Sequence, residues 1–347
     1  MGNPPAAKKS CRVGAARLPS RGEDSSDMAT DRPLVLLWIP DAAPYHQGLA
    51  RAGLDQRVEV ISVPLGETPR PELLARCEAM LAFRAGAGVL AQMPRLRWLQ
   101  ALTAGVEGWL ALPDLPKELT LTCARGTHRV QMPENILGAL FHLTKPYAGI
   151  AEDQKRRHWR RRVSTTLAGT TLGILGLGVI GQELARKAEA LEMRVIGTRR
   201  SPAPMPHVQR VYGPADTDTV LAAADFVLLL LPVTPETRGF MNAARLKRMK
   251  PGAYLLNFGR GELVVDADLI EAVTARTIAG AVLDVFTTEP LPAEHPFWGT
   301  EGIMVLPHIG GLHPGRDHIV AELFTDNLQR FLAGQTLRET VDRARGY

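Results

Sequence analysis

Residues 171–181 read TLGILGLGVIG, and the order of features in them sets the architecture expected on either side. A short apolar run of strand length passes straight into Gly176-x-Gly178-x-x-Gly181, and a helix-length segment over 179–191 follows. The three glycines have separate uses. Gly176 permits a tight turn, Gly178 lets the backbone approach a pyrophosphate, and Gly181 lets helix and strand pack closely. Val179 and Ile180 open the helix, whose unpaired N–H groups and positive dipole end face the phosphates. A glycine pattern alone is weak, but strand, turn and helix in this order predict a dinucleotide site.

The next strand, 194–198, ends in Thr198-Arg199-Arg200-Ser201. A chain that binds NAD usually carries Asp or Glu here, about twenty residues on, to hold the ribose hydroxyls. No acid stands at this position. A carboxylate would repel a 2′-phosphate, whereas guanidinium forks bind phosphate in pairs of hydrogen bonds. The expected cofactor is therefore NADP(H), with NAD as the alternative.

Further strand candidates follow at 225–231, 253–258, 278–285 and 303–306, with helices over 242–249, 266–275 and 315–332. An earlier series precedes the glycine turn, at 34–39, 58–63, 79–83, 96–102 and 119–123. Continuous apolar runs of this length suit strands of a parallel sheet buried on both faces. Between the two series, Asn135 to Trp159 reads as one long helix or a helix plus arm, with Pro146 as its kink or break. The fold class is α/β, with two doubly wound parallel-sheet (Rossmann-like) domains and a cleft between them.

Open α/β sheets bind ligands outside the carboxyl ends of their strands. Three stretches put polar side chains there: Asn257-Phe258-Gly259-Arg260, Leu283-Asp284 with Glu289 beyond it, and Leu306-Pro307-His308. Arg260 can clamp a carboxylate and polarise a ketone. His308 can give or take a hydroxyl proton, since an imidazole changes charge near neutral pH. Glu289, if hydrogen-bonded to His308, favours the imidazolium and fixes its orientation. Together with a nicotinamide they form a coherent set for reducing the carbonyl of a small oxyacid.

With these motifs in order, residues 34–347 resemble the D-isomer-specific 2-hydroxyacid dehydrogenase family, and more narrowly its glyoxylate/hydroxypyruvate reductase-like members. The resemblance is carried by LTAGVEG (102–108), GILGLGVIG (173–181), LPVTPETRG (231–239), NFGRGELVVD (257–266), LDVFTTEPLP (283–292), LPHIGG (306–311) and VDRARGY (341–347). It implies Arg260, Glu289 and His308 as the catalytic set and Asp284 at the nicotinamide end of the cofactor. Pro232 and Thr237 become cofactor contacts, and the Ala104-Gly105-Val106 backbone the loop that receives the substrate carboxylate. It also implies a substrate domain of residues 31–124 plus 309–347, an NAD(P)-binding domain of residues 125–308, and a homodimer supported by the arm after Glu134. Glu192, Cys123 and Pro133 depart from the commoner family pattern, at positions that bear on packing rather than chemistry.

The resemblance leaves other functions to weigh. A dinucleotide-sensing, corepressor-like binding protein with little turnover is the alternative; a linear-peptide groove or partner-binding tail would mark it, and the sequence offers neither. Formate-type relatives pair the histidine with Gln, against which Glu289 argues. His128, Arg84 and Trp109 are cleft candidates, while His313 and His318 read as surface positions.

Composition narrows the classes. At 347 residues the chain suits about two domains. Hydrophobic residues at 45% and charged residues at 22% exclude a collagen-like, disulfide-stapled or wholly disordered protein. No apolar run has the length of a membrane helix. The run KRRHWRRR (155–162) holds one aromatic, too few for a base-stacking surface, and reads as a solvated helix end and loop rather than a nucleic-acid patch. Cys11, Cys77 and Cys123 form no C-x-x-C, so neither a zinc site nor a redox dithiol is indicated, and a reducing cytoplasm fits. Residues 1–30 lack apolar periodicity and read as a disordered extension, with Met28 as the favoured true start.

Overall fold

The computed structural model describes residues 32–346. The readings made on residues 1–30, including Cys11 and the Met28 start, lie outside the described residues. Strands β1 (Leu34–Trp38), β2 (Glu59–Val63), β3 (Cys77–Ala82), β4 (Trp98–Ala101) and β5 (Thr120–Thr122) pair in the order β2-β1-β3-β4-β5, all parallel. Helices α1 (Ala43–Arg51), α2 (Pro71–Arg76) and α3 (Glu107–Leu110) fall between them. All five residues of β1 are buried, because the sheet is covered on both faces.

Two further helices lead out of this unit, α4 (Gln131–Thr144) and α5 (Tyr147–Lys155). Of the two readings of Asn135 to Trp159, the broken one holds: the segment is two helices and an arm. The break falls at Pro146, which lacks an N–H, and the preceding Lys145 is pushed into extended backbone (φ −115°, ψ 132°). The basic run begins at the last residue of α5 and continues into exposed coil, where Trp159 is 92% exposed and Arg162 reaches back to Asp153 at 2.7 Å.

The second unit holds β6 (Thr171–Leu175), α6 (Val179–Glu189), β7 (Arg194–Thr198), β8 (Arg210–Tyr212), α7 (Thr217–Ala223), β9 (Phe226–Leu229), α8 (Ala243–Leu246), β10 (Tyr254–Asn257), α9 (Asp266–Thr274), β11 (Gly280–Leu283) and β12 (Ile303–Val305). Its parallel sheet runs β12-β11-β10-β9-β6-β7-β8. The chain moves outward from β6 through β7 to β8, then crosses back to β9, so the loops after β6 and β9 diverge and leave a crevice. Edge strand β8 has no counterpart in the sequence reading, which expected helices in the gaps between strands without singling out α7. The three residues of β8 are at most half-buried, so no apolar run marks that strand. The amphipathic logic of α6 is plain: Gly181, Leu184, Ala185 and Ala188 form the buried stripe, at helical spacing.

The last helix, α10 (Arg316–Leu332), returns to the first sheet. Its Val320, Ala321, Phe324 and Leu328 enter one core with Val35, Leu37, Trp98 and Tyr45. Phe324 stacks on Trp98 with ring centroids 5.1 Å apart and meets Tyr45 edge-on at 6.3 Å. Below it, the Asn327 side chain donates to Gln100 Oε1 at 3.1 Å and accepts from Arg338 N at 2.8 Å, which fastens the C-terminal segment to β4. No helix among the described residues is long and apolar enough to cross a membrane.

Because Phe324 is fully buried between two aromatic rings, Phe324→Ala leaves a cavity that its neighbours cannot close. We expect a loss of about 3–5 kcal/mol in stability, read from the urea midpoint at unchanged slope.

Candidate active site

The glycine turn sits at the crevice between β6 and β9. Gly176 has φ +105°, and a side chain there would meet the Leu230 carbonyl carbon and oxygen at 2.8 Å. Only glycine lets the turn press against the end of β9. A Cβ on Gly178, by contrast, would point into open space, and no side chain caps α6 at that end. Room for a phosphate group and the N–H groups of an eleven-residue helix therefore coincide. Thr198 is buried at the neighbouring strand end, and Arg199 and Arg200 beside it are exposed. These residues fit a dinucleotide. Thr237 Oγ1 donates to Pro232 O at 2.7 Å and accepts from Thr234 N at 2.7 Å, so this hydroxyl shapes its own loop.

The loops after β10, β11 and β12 converge at the same edge. Glu289 accepts from Phe286 N through Oε1 (2.9 Å), and its Oε2 lies 2.6 Å from His308 Nδ1. That contact makes Nδ1 the donor, which leaves Nε2 as the nitrogen for a ligand. His308 itself has φ +52°, a left-handed conformation that costs free energy for a non-glycine residue and must be held by its surroundings. Asp284, 1% exposed, helps hold it: Oδ1 accepts from Ile309 N at 2.8 Å and Oδ2 from Gly310 N at 2.9 Å. Burial pushes the Asp284 carboxyl up from the usual carboxylate range, while those two donors and His308 pull it down. Both carboxylate oxygens of Asp284, the residue expected at the nicotinamide end, are thus engaged with the His308 loop.

Arg260 reaches across to the first unit. Its Nη1 donates to Gly259 O at 2.7 Å and its Nε to Glu107 Oε1 at 3.1 Å. Its Nη2 lies only 1.9 Å from where a Cβ on Gly105 would be, so any other residue at 105 would displace the guanidinium. Thr103 Oγ1 donates to Gly105 O at 2.7 Å and fixes the Ala104-Gly105-Val106 turn below it. The structure therefore brings together Arg260, the 104–106 backbone, Glu289, His308 and Asp284 at one edge, next to the glycine turn.

Two neighbours, Glu107 and Asn135, were given no role by the sequence reading. Glu107 pairs with a residue 153 positions away, and no local pattern reports that. Asn135 donates to Ile309 O and Gly310 O, both at 3.0 Å, and a helix-interior asparagine gives no signal of it. His128 packs its ring against Gly311, where a Cβ would meet Nδ1 at 2.8 Å. Trp109 is a core residue at 4% exposure, and Arg84 and His318 are exposed. His313 is half-buried rather than at the surface, and Glu134 is exposed and paired with Lys187 at 2.7 Å.

Comparison with known proteins finds matches both by sequence and by fold. The family described as D-isomer specific 2-hydroxyacid dehydrogenase, NAD binding domain, matches residues 137–310. Glyoxylate/hydroxypyruvate reductase A of Serratia proteamaculans is 34% identical over 307 residues, 85% of this chain and 95% of that protein. A D-isomer specific 2-hydroxyacid dehydrogenase family protein from Aeromonas salmonicida superposes with TM-score 0.81 at 32% identity, over 90% of this chain and 99% of that one. An NADPH-dependent glyoxylate/hydroxypyruvate reductase from Sinorhizobium meliloti, solved with NADP and sulfate, gives TM-score 0.78 at 29% identity, over 91% and 100%.

Burial and the nearby Arg316 pull the His128 imidazole down to about 4 from 6.5. Between those values the unfolded chain binds more protons than the folded one, so stability rises with pH through that window and is lost as pH falls from 6.5 toward 4. Urea midpoints measured across this range should show that slope, and His128→Gln should flatten it.

Proposed function

The chain belongs to the D-isomer specific 2-hydroxyacid dehydrogenase family, an oxidoreductase family acting on CH–OH groups with NAD(P), and from that premise we propose that it reduces a small 2-keto acid of the glyoxylate or hydroxypyruvate kind to the D-2-hydroxy acid with NADPH. The observation that carries this reading is the Glu289–His308 contact of 2.6 Å at the edge where Arg260 meets the 104–106 turn. In it, residues 125–308 bind the dinucleotide and residues 31–124 with 309–347 take the substrate.

The nicotinamide, when bound, supplies the hydride that adds to the keto carbon. Arg260 holds the substrate carboxylate and draws charge onto the carbonyl oxygen, with Nη2 and the Ala104-Gly105-Val106 backbone as the donors. His308, with Nδ1 held by Glu289, delivers a proton from Nε2 to the carbonyl oxygen as negative charge grows there. Glu289 stabilises the imidazolium before transfer and keeps the ring from turning. Removing such a general acid typically costs about 10²–10⁴ in rate.

Gly176, Gly178, Val179, Ile180 and Gly181 cradle the pyrophosphate, with Pro232 and Thr237 on the far wall. Thr198, Arg199 and Arg200 take the 2′-phosphate, a role supported by the absence of a carboxylate at that strand end. Asp284 meets the nicotinamide end through the backbone it braces. Tyr147, Trp159 and Val163, at 70%, 92% and 94% exposure on the arm, support a homodimer through that segment. Free, buried Cys77 and Cys123 suit a reducing cytoplasm.

Initial rates of NADPH and NADH oxidation with glyoxylate, hydroxypyruvate, pyruvate and phenylpyruvate test the reading. We expect NADPH and the two small acids to be preferred. His308→Gln should lower kcat by about 10²-fold or more with the NADPH dissociation constant nearly unchanged. Unchanged turnover in that variant would refute the mechanism. Arg199→Ala with Arg200→Ala should raise KM for NADPH at least about tenfold and leave NADH unaffected.

A further inference from the structure

Asn135 stands on the second turn of α4, well outside the motifs that read as catalytic. Its Nδ2 carries two hydrogens, and they go to the carbonyl oxygens of Ile309 and Gly310, each at 3.0 Å. The two carboxylate oxygens of Asp284 take the N–H groups of the same two residues, at 2.8 and 2.9 Å. Two side chains from distant parts of the chain thus bind all four backbone polar groups of the dipeptide that follows His308. This matters because His308 sits at φ +52° and its neighbouring Ile309 and Leu312 are 36% and 61% exposed, so little apolar packing holds the loop.

The brace has a firm base on the cofactor side. Ile136, Ala139 and Leu140 of α4 share a core with Leu184, Ala185 and Ala188 of α6, and Glu134 pairs with Lys187 at 2.7 Å. The helix that opens at the glycine turn is therefore tied through α4 and Asn135 to the loop bearing His308.

We propose that Asn135 is a positioning residue for the reduction, fixing the His308 backbone against the dinucleotide-binding helix so that Nε2 meets the carbonyl oxygen. The inference rests on the reading of His308 as the proton donor. A displacement of about 1 Å in such a group costs up to about a hundredfold in rate. Asn135 touches neither substrate nor cofactor in this scheme, so its loss belongs in kcat and leaves binding of either ligand intact.

The test is a double-mutant cycle on the full-length protein with NADPH and glyoxylate. Asn135→Ala and Asn135→Leu, each verified as folded by circular dichroism, are expected to lower kcat about ten- to a hundredfold. The NADPH dissociation constant and the KM for glyoxylate should stay within about twofold. In a His308→Ala background, Asn135→Ala should change the residual rate by less than about twofold, because the group that it positions is gone. An equal loss in both backgrounds, a loss confined to NADPH affinity, or full kcat in both Asn135 variants would overturn the proposal. If neither Asn135 variant folds, the residue is a structural support and the proposal is overturned as well. Full turnover of His308→Ala alone would instead refute the reading of the site, an outcome distinct from the other failures.

Discussion

Asp284 is 1% exposed at the end of β11, and a carboxylate taken out of water there costs several kcal/mol unless each oxygen finds a donor. The donors are the consecutive N–H groups of Ile309 and Gly310, so the loop after β12 has one place to go. That placement carries His308 to Glu289 and lets Gly311 close on the His128 ring. It also sets the path by which the chain leaves the second unit and begins α10. A buried charge that must be satisfied thus fixes the geometry of the candidate site and of the return crossing together. Replacing it by an apolar residue would free both.

The contact between Arg260 and Glu107 works on a different scale. The two side chains are 34% and 40% exposed, and a pair so open to water contributes at most about 1 kcal/mol. Its value is in direction rather than stability. With Nε on Glu107 and Nη1 on Gly259 O, the guanidinium is turned so that Nη2 lies along the Gly105 backbone. A glycine at 105 is what admits it. The planar fork of arginine keeps this orientation with little further loss of freedom on binding a carboxylate, which a lysine could not do.

Much of this was legible beforehand because the signals are local. The turn at 176–181 is written in its glycines, and Gly176, read as permitting the tight turn, has a positive φ. Arg260 and His308 could be picked out because each follows an apolar run at a strand's carboxyl end, and Glu289 because it lies beyond Asp284, the polar residue at the end of β11. Asn135 and Glu107 could not, since each acts on a partner more than a hundred positions away. Strand β8 escaped for another reason: its three residues are at most half-buried, so no apolar run marks it.

The sequence by itself determined that there would be two parallel sheets, where the dinucleotide turn would lie, and which strand ends would carry polar side chains. It could do so because hydrophobic period, glycine sterics and side-chain chemistry act over a few residues. Only the tertiary structure decided that the Asp284 oxygens serve the His308 loop and that Asn135 completes its brace. It alone decided that Arg260 crosses to Gly105 and Glu107, and that α10 seats Phe324 on Trp98. Those choices come from satisfying buried polar groups and filling a shared core, and both depend on which distant segments the fold makes neighbours.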